Sequence, residues 1–176
     1  MDIIFIRNLG RQQQEDQILK AGAMLKQLGF EPTLVLHSGE DRNIRTAQAI
    51  VGERRVQLEE VPELNRFLPD RDTYYRVVDP LVKELGVDAP ISAYLEKDHE
   101  GVLLASANRV VQKMRAIIEN SGADKVLIVG HHISQNLFGI ALTDQMNPLF
   151  LGPHFPPLTG FRIHEDGSIT EVKLVE

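Results

Sequence analysis

The chain contains no cysteine, which excludes disulfide bonds and thiolate chemistry and fits a reducing compartment. It has no excess of positive charge either, since 19 Lys and Arg against 25 Asp and Glu give a formal net charge of −6. The basic residues are scattered along the sequence rather than clustered. We therefore expect no general surface for nucleic acid or for anionic membranes, and any positively charged site must be local.

Long hydrophobic runs are also missing. No stretch approaches the ~18 consecutive apolar residues of a membrane-spanning helix. The first residues, MDIIFIRN, have an acidic second position and an apolar run far shorter than that of a signal peptide. We therefore expect a soluble, cytoplasmic protein, and 176 residues with 43% hydrophobic and 25% charged content predict a single globular domain over residues 1–176.

Alternation of strand and helix patterns is the main structural signal. Short apolar runs, typical of strands buried on both faces, occur in IIFI, TLVL and KVLIV. Each run is followed by a segment with apolar residues at helical spacing, and the first two such segments end at Gly29 and Gly52. Between the second and third units, roughly residues 70–121, the pattern predicts helices broken by Pro80 and Pro90.

The C-terminal segment has a different pattern. GFRIHEDGSITEVKLVE contains two alternating runs joined by Asp166 and Gly167, which predicts a β-hairpin. Repeated βα units followed by a hairpin predict an α/β fold. We expect a three-layer αβα sandwich with a mostly parallel sheet and a C-terminal β-hairpin.

Polar and charged side chains follow each of the three predicted strands. They are Arg7 and Asn8, then Ser38 with Arg42, then His131 with His132. Ligands of open α/β sheets bind beyond the carboxyl ends of the strands, and guanidinium groups meet phosphate oxygens in a bidentate geometry. The pattern therefore predicts a local phosphate pocket at this edge of the sheet.

These stretches resemble the histidine phosphatase superfamily, also called the phosphoglycerate mutase-like fold. The family pattern is a first strand ending in Arg-His-Gly, a second ending near Ser-Pro with an Arg four residues after the Ser and a Thr-Ala four residues beyond, and a late strand ending in His-Gly or His-Asp. The corresponding stretches here are IIFIRNLG, LHSGEDRNIRTAQAI and VLIVGHHISQ. The resemblance covers nearly the whole chain, whose length is similar to that of small members such as the SixA-type phosphohistidine phosphatases.

The resemblance implies a role for each matching residue. Arg7, Arg42 and His131 match the phosphate-binding residues of the family, and Asn8 stands at the position of its nucleophilic histidine. A carboxamide can donate a hydrogen bond to a phosphate oxygen but cannot accept a phosphoryl group as imidazole does. Because loss of a nucleophile costs on the order of 10⁶ in rate, we expect a pocket that binds a phosphorylated ligand with little hydrolysis.

The sequence departs from the family pattern at other positions as well. Leu9 replaces a glycine, Gly39 replaces a proline, and His132 stands where glycine or aspartate is usual. After the PEL element, where mutase-like members carry an acidic residue, the chain has Arg66. The usual general acid is therefore in doubt.

Two other functions stay open. A water molecule, or His132 acting as a proton donor, could sustain phosphomonoester or phosphohistidine hydrolysis, and the domain could instead be a structural interaction module. Adjacent histidines without a further spaced cluster do not favour a metal site, and we expect no cofactor. The expected partner is a phosphorylated small molecule or phosphoprotein. His154 could line the rim of the pocket, but a surface position is the simpler expectation. If the pocket is otherwise intact, Asn8→His should restore activity by several orders of magnitude.

Overall fold

The computed structural model describes residues 1–9 and 15–175, without the side chains of residues 15, 16, 18 and 19. The strands are β1 Asp2–Arg7, β2 Leu34–His37, β3 Gln57–Glu60, β4 Lys125–Gly130, β5 Thr159–Ile163 and β6 Ile169–Lys173. The α-helices are α1 Glu15–Gln27, α2 Asp41–Val51, α3 Arg71–Thr73, α4 Asp79–Leu85, α5 Ile91–Lys97, α6 Val102–Ser121, α7 His132–Thr143 and α8 Pro148–Leu151. A 3₁₀ turn spans Pro62–Leu64, and a π-helix spans Tyr74–Val78. None of the helices in the described part of the chain has both the length and the apolar character to cross a membrane.

The strands form one sheet in the order β3-β2-β4-β1-β5-β6. The first four run parallel, β5 is antiparallel to β1, and β6 is antiparallel to β5. Alternate residues of β1 enter two separate hydrophobic cores, Ile3 and Phe5 on one face and Ile4 and Ile6 on the other. Since a strand presents successive side chains to opposite faces, both faces of the sheet are covered. The predicted αβα sandwich with a mostly parallel sheet is confirmed.

The predicted hairpin is also confirmed. The N–H of His164 donates to the carbonyl of Ser168 at 2.9 Å, and Oδ1 of Asp166 accepts from the N–H of Ser168 at 2.9 Å. Gly167 has φ +82°, a conformation that a side chain at this position would strain. The Asp-Gly pair therefore sets the turn that joins β5 to β6.

Two features differ from the sequence pattern. Strand β3 was not predicted, because its sequence QLEE is polar and mostly exposed at the edge of the sheet, where apolar residues are not required. Pro80 does not break the helix, since α3, the π-helix and α4 follow one another without a gap. The wider π turn ends with the N–H of Asp79 bonded to the carbonyl of Tyr74, which carries the chain into the proline. Pro90 does mark a break, and α5 begins at the next residue.

An ion pair ties the beginning of β1 to the hairpin. Arg162 donates through Nε to Oδ1 of Asp2 at 2.9 Å and through Nη2 to Oδ2, and the Asp2 side chain is only 7% exposed. Because removing one member of a buried pair leaves an uncompensated charge, Asp2→Ala should lower the free energy of unfolding by about 3 kcal/mol. Urea denaturation measures the change. Glu100→Gln, which breaks the exposed contact with Arg76, is the matched control and should leave stability unchanged.

Candidate anion-binding site

The candidate residues converge because three adjacent parallel strands end at one edge of the sheet. Arg7 is the last residue of β1, Ser38 follows β2, and His131 follows β4. Strand β4 lies between the other two, and the N–H of Asn8 donates to the carbonyl of Gly130 at 2.9 Å. The sheet thus gathers residues that are far apart in the sequence.

Two helices also begin at this edge. Helix α2 starts at Asp41 and α7 starts at His132, each just after a strand that points toward the site. An open depression of about 650 Å³ lies at the start of α2 and is lined by Gly39, Glu40, Asp41 and Arg42. The N-terminal ends of helices carry partial positive charge and free N–H groups, so both helices favour an anion here.

The imidazole of His131 is the centre of the side-chain contacts. Its Nδ1 lies 3.0 Å from Nη2 of Arg42 and 3.5 Å from Nδ2 of Asn8. Its Nε2 lies 3.0 Å from the carboxamide nitrogen of Asn43 and 3.3 Å from Oε2 of Glu40. Residues from the ends of β1, β2 and β4 therefore meet at one ring.

The environment keeps His131 neutral at pH 7. Burial, followed by the charge of Arg42, lowers the pKa of His131 to about 4, with a smaller lowering from Arg7 and an opposing effect of Glu40. A neutral imidazole offers one donor and one acceptor nitrogen. The positive charge of the site therefore comes from its arginines and helix ends rather than from this histidine.

The low pKa of His131 predicts a loss of stability in acid. Between pH 6.5 and about 4 the unfolded chain binds a proton that the native His131 does not, so the free energy of unfolding falls as the pH is lowered through that window. The contribution is at most about 3 kcal/mol. Urea denaturation of the wild type and His131→Gln at pH 4 and pH 7 measures it, and the wild type should lose more stability than the variant. Equal losses would contradict the prediction.

Asn43 is a site residue that the sequence analysis missed. It is completely buried, accepts a hydrogen bond from Nδ2 of Asn8 and donates to Oγ of Ser38. Its position did carry a signal, because Asn43 precedes the buried Ala47 and Ile50 by four and seven residues and so lies on the same face of α2. A polar residue on a buried helix face needs polar partners, and Asn8, Ser38 and His131 supply them.

Glu40 is the second residue that was missed. Its carboxylate pairs with Nε of Arg42 at 3.1 Å, faces His131, and accepts from Nδ2 of Asn65. Asn65 comes from the segment after β3, where the sequence analysis noted Arg66, whose side chain is exposed. The acidic group beside the candidate site is therefore Glu40 at the start of α2.

Arg7 is held by the segment before β5. Its Nη1 donates to the carbonyl of Phe155 at 2.9 Å, and its own carbonyl accepts from the N–H of Leu158 at 2.9 Å. Burial and the nearby charge of Arg42 both lower the pKa of Arg7, while the exposed Asp88 raises it. Two guanidinium groups within electrostatic range of each other are more stable when an anion lies between them.

Two of the departures from the family pattern have structural explanations. Gly39 has φ +79°, which proline cannot adopt, so the loop after β2 differs in conformation from a Ser-Pro loop. Leu9 is 7% exposed and packs in the core beside Ala47 and Ile50, while its N–H donates to Oγ1 of Thr46 at 3.4 Å. The leucine side chain is therefore part of the core on the α2 side of the sheet.

His132 and His154 form a second group beside Arg7. Their rings are 4.4 Å apart with an interplanar angle of 37°, and both are half-buried, so the expectation of a surface position for His154 is wrong. The reason is that the loop before β5 folds over the start of α7. Burial, then the charge of Arg7, lowers the pKa of His132 to about 4.

In the described ranges 1–9 and 15–175, no three His, Asp or Glu side chains are grouped to hold a metal ion.

Comparisons with known proteins identify the fold. No protein-family model matches the sequence, and no curated protein matches it significantly. Among solved structures, the alpha-ribazole phosphatase from Shigella flexneri has a TM-score of 0.63 at 17% identity, covering 100% of this chain and 96% of that one. Phosphoglycerate mutase from Bacillus anthracis str. Sterne has a TM-score of 0.55 at 16% identity, covering 100% and 91%. SixA from Agrobacterium tumefaciens has a TM-score of 0.53 at 11% identity, covering 98% and 95%.

These structures belong to the histidine phosphatase superfamily, and their likeness extends over 98 to 100% of this chain. The chain therefore has the phosphoglycerate mutase-like fold. The expectation drawn from IIFIRNLG, LHSGEDRNIRTAQAI and VLIVGHHISQ is confirmed at the level of the fold. The roles of Arg7, Asn8, Arg42, His131 and His132 stay predictions.

Proposed function

We propose that the protein binds a phosphorylated ligand through Arg7, Arg42, His131 and Asn8 and hydrolyses it slowly, if at all. The observation that carries the proposal is that Asn8 and Arg42 both contact His131 where α2 and α7 begin, with Arg42 close enough to Arg7 to lower its pKa. The nitrogen lone pair of the Asn8 carboxamide is delocalised into its carbonyl group and is not available for attack on phosphorus. Binding and catalysis are thus separated at this site.

The expected affinity follows from the number of charged contacts. Three charge-assisted hydrogen bonds at roughly 1.5 to 3 kcal/mol each favour binding by about 5 to 9 kcal/mol before the costs of association. The dissociation constant should therefore lie between millimolar and micromolar. The names of the neighbouring structures, alpha-ribazole phosphatase and phosphoglycerate mutase, support a phosphate monoester of a small molecule as the ligand. A phosphoprotein is the alternative ligand, and the protein is proposed to act in the cytoplasm.

Hydrolysis with His132 as the proton donor is less well supported. A general acid must carry its proton at the working pH, whereas His132 has its pKa lowered to about 4 and is neutral at pH 7. Its ring is packed against His154 rather than hydrogen-bonded to His131. The second candidate function therefore has no observation in its favour.

Titration with inorganic phosphate and with phenyl phosphate, followed by calorimetry and by ³¹P NMR line width, tests the proposal. We expect saturable binding of both compounds and hydrolysis of phenyl phosphate far below ordinary enzyme rates of about 1 to 10³ s⁻¹. Turnover in that range would contradict the catalytic part. Absence of heat and of line broadening would contradict the binding part and favour a purely structural interaction module.

A further inference from the structure

The contacts of His131 select one tautomer of its ring. Arg42 can only donate, so Nδ1 of His131, 3.0 Å from Nη2, must accept and carries a lone pair. The proton of the neutral ring is then on Nε2, which faces the carboxylate of Glu40 at 3.3 Å. Both contacts are charge-assisted in this tautomer, whereas the other tautomer would turn an N–H toward a guanidinium.

The same tautomer assigns the orientation of the Asn43 carboxamide. Its nitrogen lies 3.0 Å from Nε2 of His131, which would oppose two N–H groups. Rotating the carboxamide by a half turn leaves its shape unchanged and presents the oxygen to the Nε2 proton. The hydrogen bond between Asn43 and Asn8 persists only if the Asn8 carboxamide turns as well, so that Nδ2 of Asn43 donates to Oδ1 of Asn8. The Asn8 atom that faces Nδ1 of His131 at 3.5 Å is then an oxygen and makes no hydrogen bond to it. Glu40 and Asn43 then both hold the Nε2 proton.

A ring held in this way has the form of a nucleophile. A carboxylate fixes the protonated nitrogen of an imidazole, and the opposite nitrogen keeps a lone pair that points at the anion-binding groups. A phosphate oxygen that accepts from Arg42 in place of Nδ1 would bring phosphorus close to that lone pair, near the separation of about 3 to 3.5 Å from which attack proceeds. Because burial and Arg42 lower the pKa of His131 to about 4, the ring is a weak nucleophile, and it is expected to react only with phosphates that carry a good leaving group.

We propose that Nδ1 of His131 accepts a phosphoryl group from donors with a good leaving group, such as aryl phosphates, and forms a phosphohistidine that persists. The proposal rests on the proposed function, because the donor must first bind between Arg7 and Arg42. In the step, the Nδ1 lone pair forms the N–P bond and the P–O bond to the aryl group breaks, with its electron pair leaving as phenolate. The imidazolium that results shares its Nε2 proton with Glu40, and the phenolate takes a proton from water.

Other nucleophiles near the site are less suited to this step. Oγ of Ser38 is already bonded to Asn43, and Asn8 has no basic nitrogen. The ring of His132 packs on His154 and faces no carboxylate within salt-bridge distance among the described residues. The phosphohistidine should persist because Asn8 is not a base and His132, with its pKa lowered to about 4, is too weak a base to activate water effectively.

The test treats the full chain with 4-nitrophenyl phosphate. We expect a burst of nitrophenolate of up to one equivalent, a mass increase of one phosphoryl group that is labile to acid and stable to alkali, and tandem mass spectra and ³¹P NMR that place it on Nδ1 of His131. His131→Gln should abolish the burst, and His99→Gln, the matched control at an exposed histidine outside the site, should retain it. Glu40→Gln should slow the burst more than about tenfold while phosphate binding persists, because the variant keeps the size of the side chain and loses its charge.

Each contrary result has a distinct meaning. Phosphate binding without any covalent adduct overturns this proposal and leaves the proposed function intact. A phosphoryl group on His132, on Ser38 or on Nε2 of His131 also overturns it. Failure of the wild type to bind inorganic phosphate overturns the proposed function, and this proposal with it. Circular dichroism of each variant checks that the fold is retained, and the wild-type adduct alone decides the outcome if a variant does not fold.

Discussion

The double substitution Asn8→His with Asn43→Ala is expected to raise the rate of aryl phosphate hydrolysis at least about 10³-fold over the wild type. Asn8→His alone is expected to gain less than about tenfold. The reason is that the carboxamides of Asn8 and Asn43 are hydrogen-bonded in the interior, with Asn8 only 3% exposed and Asn43 completely buried. An imidazole is larger than a carboxamide. Inserting it beside an unchanged Asn43 overpacks the site, which lowers the free energy of unfolding by about 1 to 3 kcal/mol.

This expectation revises what the sequence alone suggested for Asn8→His. The sequence could not show that Asn43 occupies the space and the hydrogen bonds that an imidazole at position 8 would need. Removing the Asn43 carboxamide provides that space and also frees Nε2 of His131, which it contacts at 3.0 Å. The expected gain in the rate of hydrolysis is smaller than the factor of about 10⁶ that a nucleophile with all its supporting groups supplies. The reason is that a general acid, which contributes a factor of about 10² to 10⁴ to the rate, is missing.

Steady-state hydrolysis of 4-nitrophenyl phosphate by the wild type, the two single variants and the double variant measures the effect. Asn43→Ala is the control for the loss of the carboxamide by itself, and it should not gain activity. A gain of several orders of magnitude for Asn8→His alone would show that Asn43 is no obstacle. No gain in the double variant would place the barrier elsewhere, with the loop at Gly39 the first candidate because its backbone cannot match a Ser-Pro loop.

The fold could be predicted because its signals are local. Short apolar runs in the sequence indicate the buried strands, and two residues, Asp166 and Gly167, indicate the hairpin turn. Strand β3 was not predicted because an edge strand needs neither an apolar face nor alternation of apolar and polar residues. The continuation of the helix through Pro80 was not predicted because a helix can widen by a π turn ahead of a proline, and no pattern of apolar residues indicates this.

The site could be predicted in part for the same reason. Arg7, Ser38 and His131 are adjacent to strong strand signals, so their convergence follows from the sheet alone. Glu40 and Asn43 reach the site through contacts with His131, which lies 91 and 88 residues further along the chain, and such distant contacts have no local signature. The only local signal was the position of Asn43 on the buried face of α2. The position of His154 was wrong for a similar reason, since its burial depends on how a loop folds over α7 rather than on the proline-rich sequence around it.

The combined substitution of both arginines, Arg7→Gln with Arg42→Gln, is expected to weaken the binding of inorganic phosphate by about 10² to 10⁴-fold. Each lost charge-assisted contact removes roughly 1.5 to 3 kcal/mol of binding free energy. Arg42 also neutralises Glu40, whose Oε2 is 3.1 Å from Nε, so its removal leaves a carboxylate that repels the ligand. For this reason Arg42→Gln should weaken binding more than Arg7→Gln, and adding Glu40→Gln to Arg42→Gln should recover part of the affinity.

Calorimetric titration with phosphate at low ionic strength measures these affinities, since salt screens exposed charges. Arg45→Gln is the matched control, because Arg45 lies on the same helix three residues after Arg42 and its side chain is exposed. Arg7 also holds the loop at Phe155 through a 2.9 Å hydrogen bond, so Arg7→Lys separates the two roles. Lysine keeps the positive charge and loses the bidentate geometry, and intermediate affinity is expected for it. If the Arg45 variant lost as much affinity as the double variant, the phosphate would be attracted by the general field of α2, and the pocket between Arg7 and Arg42 would not be its site.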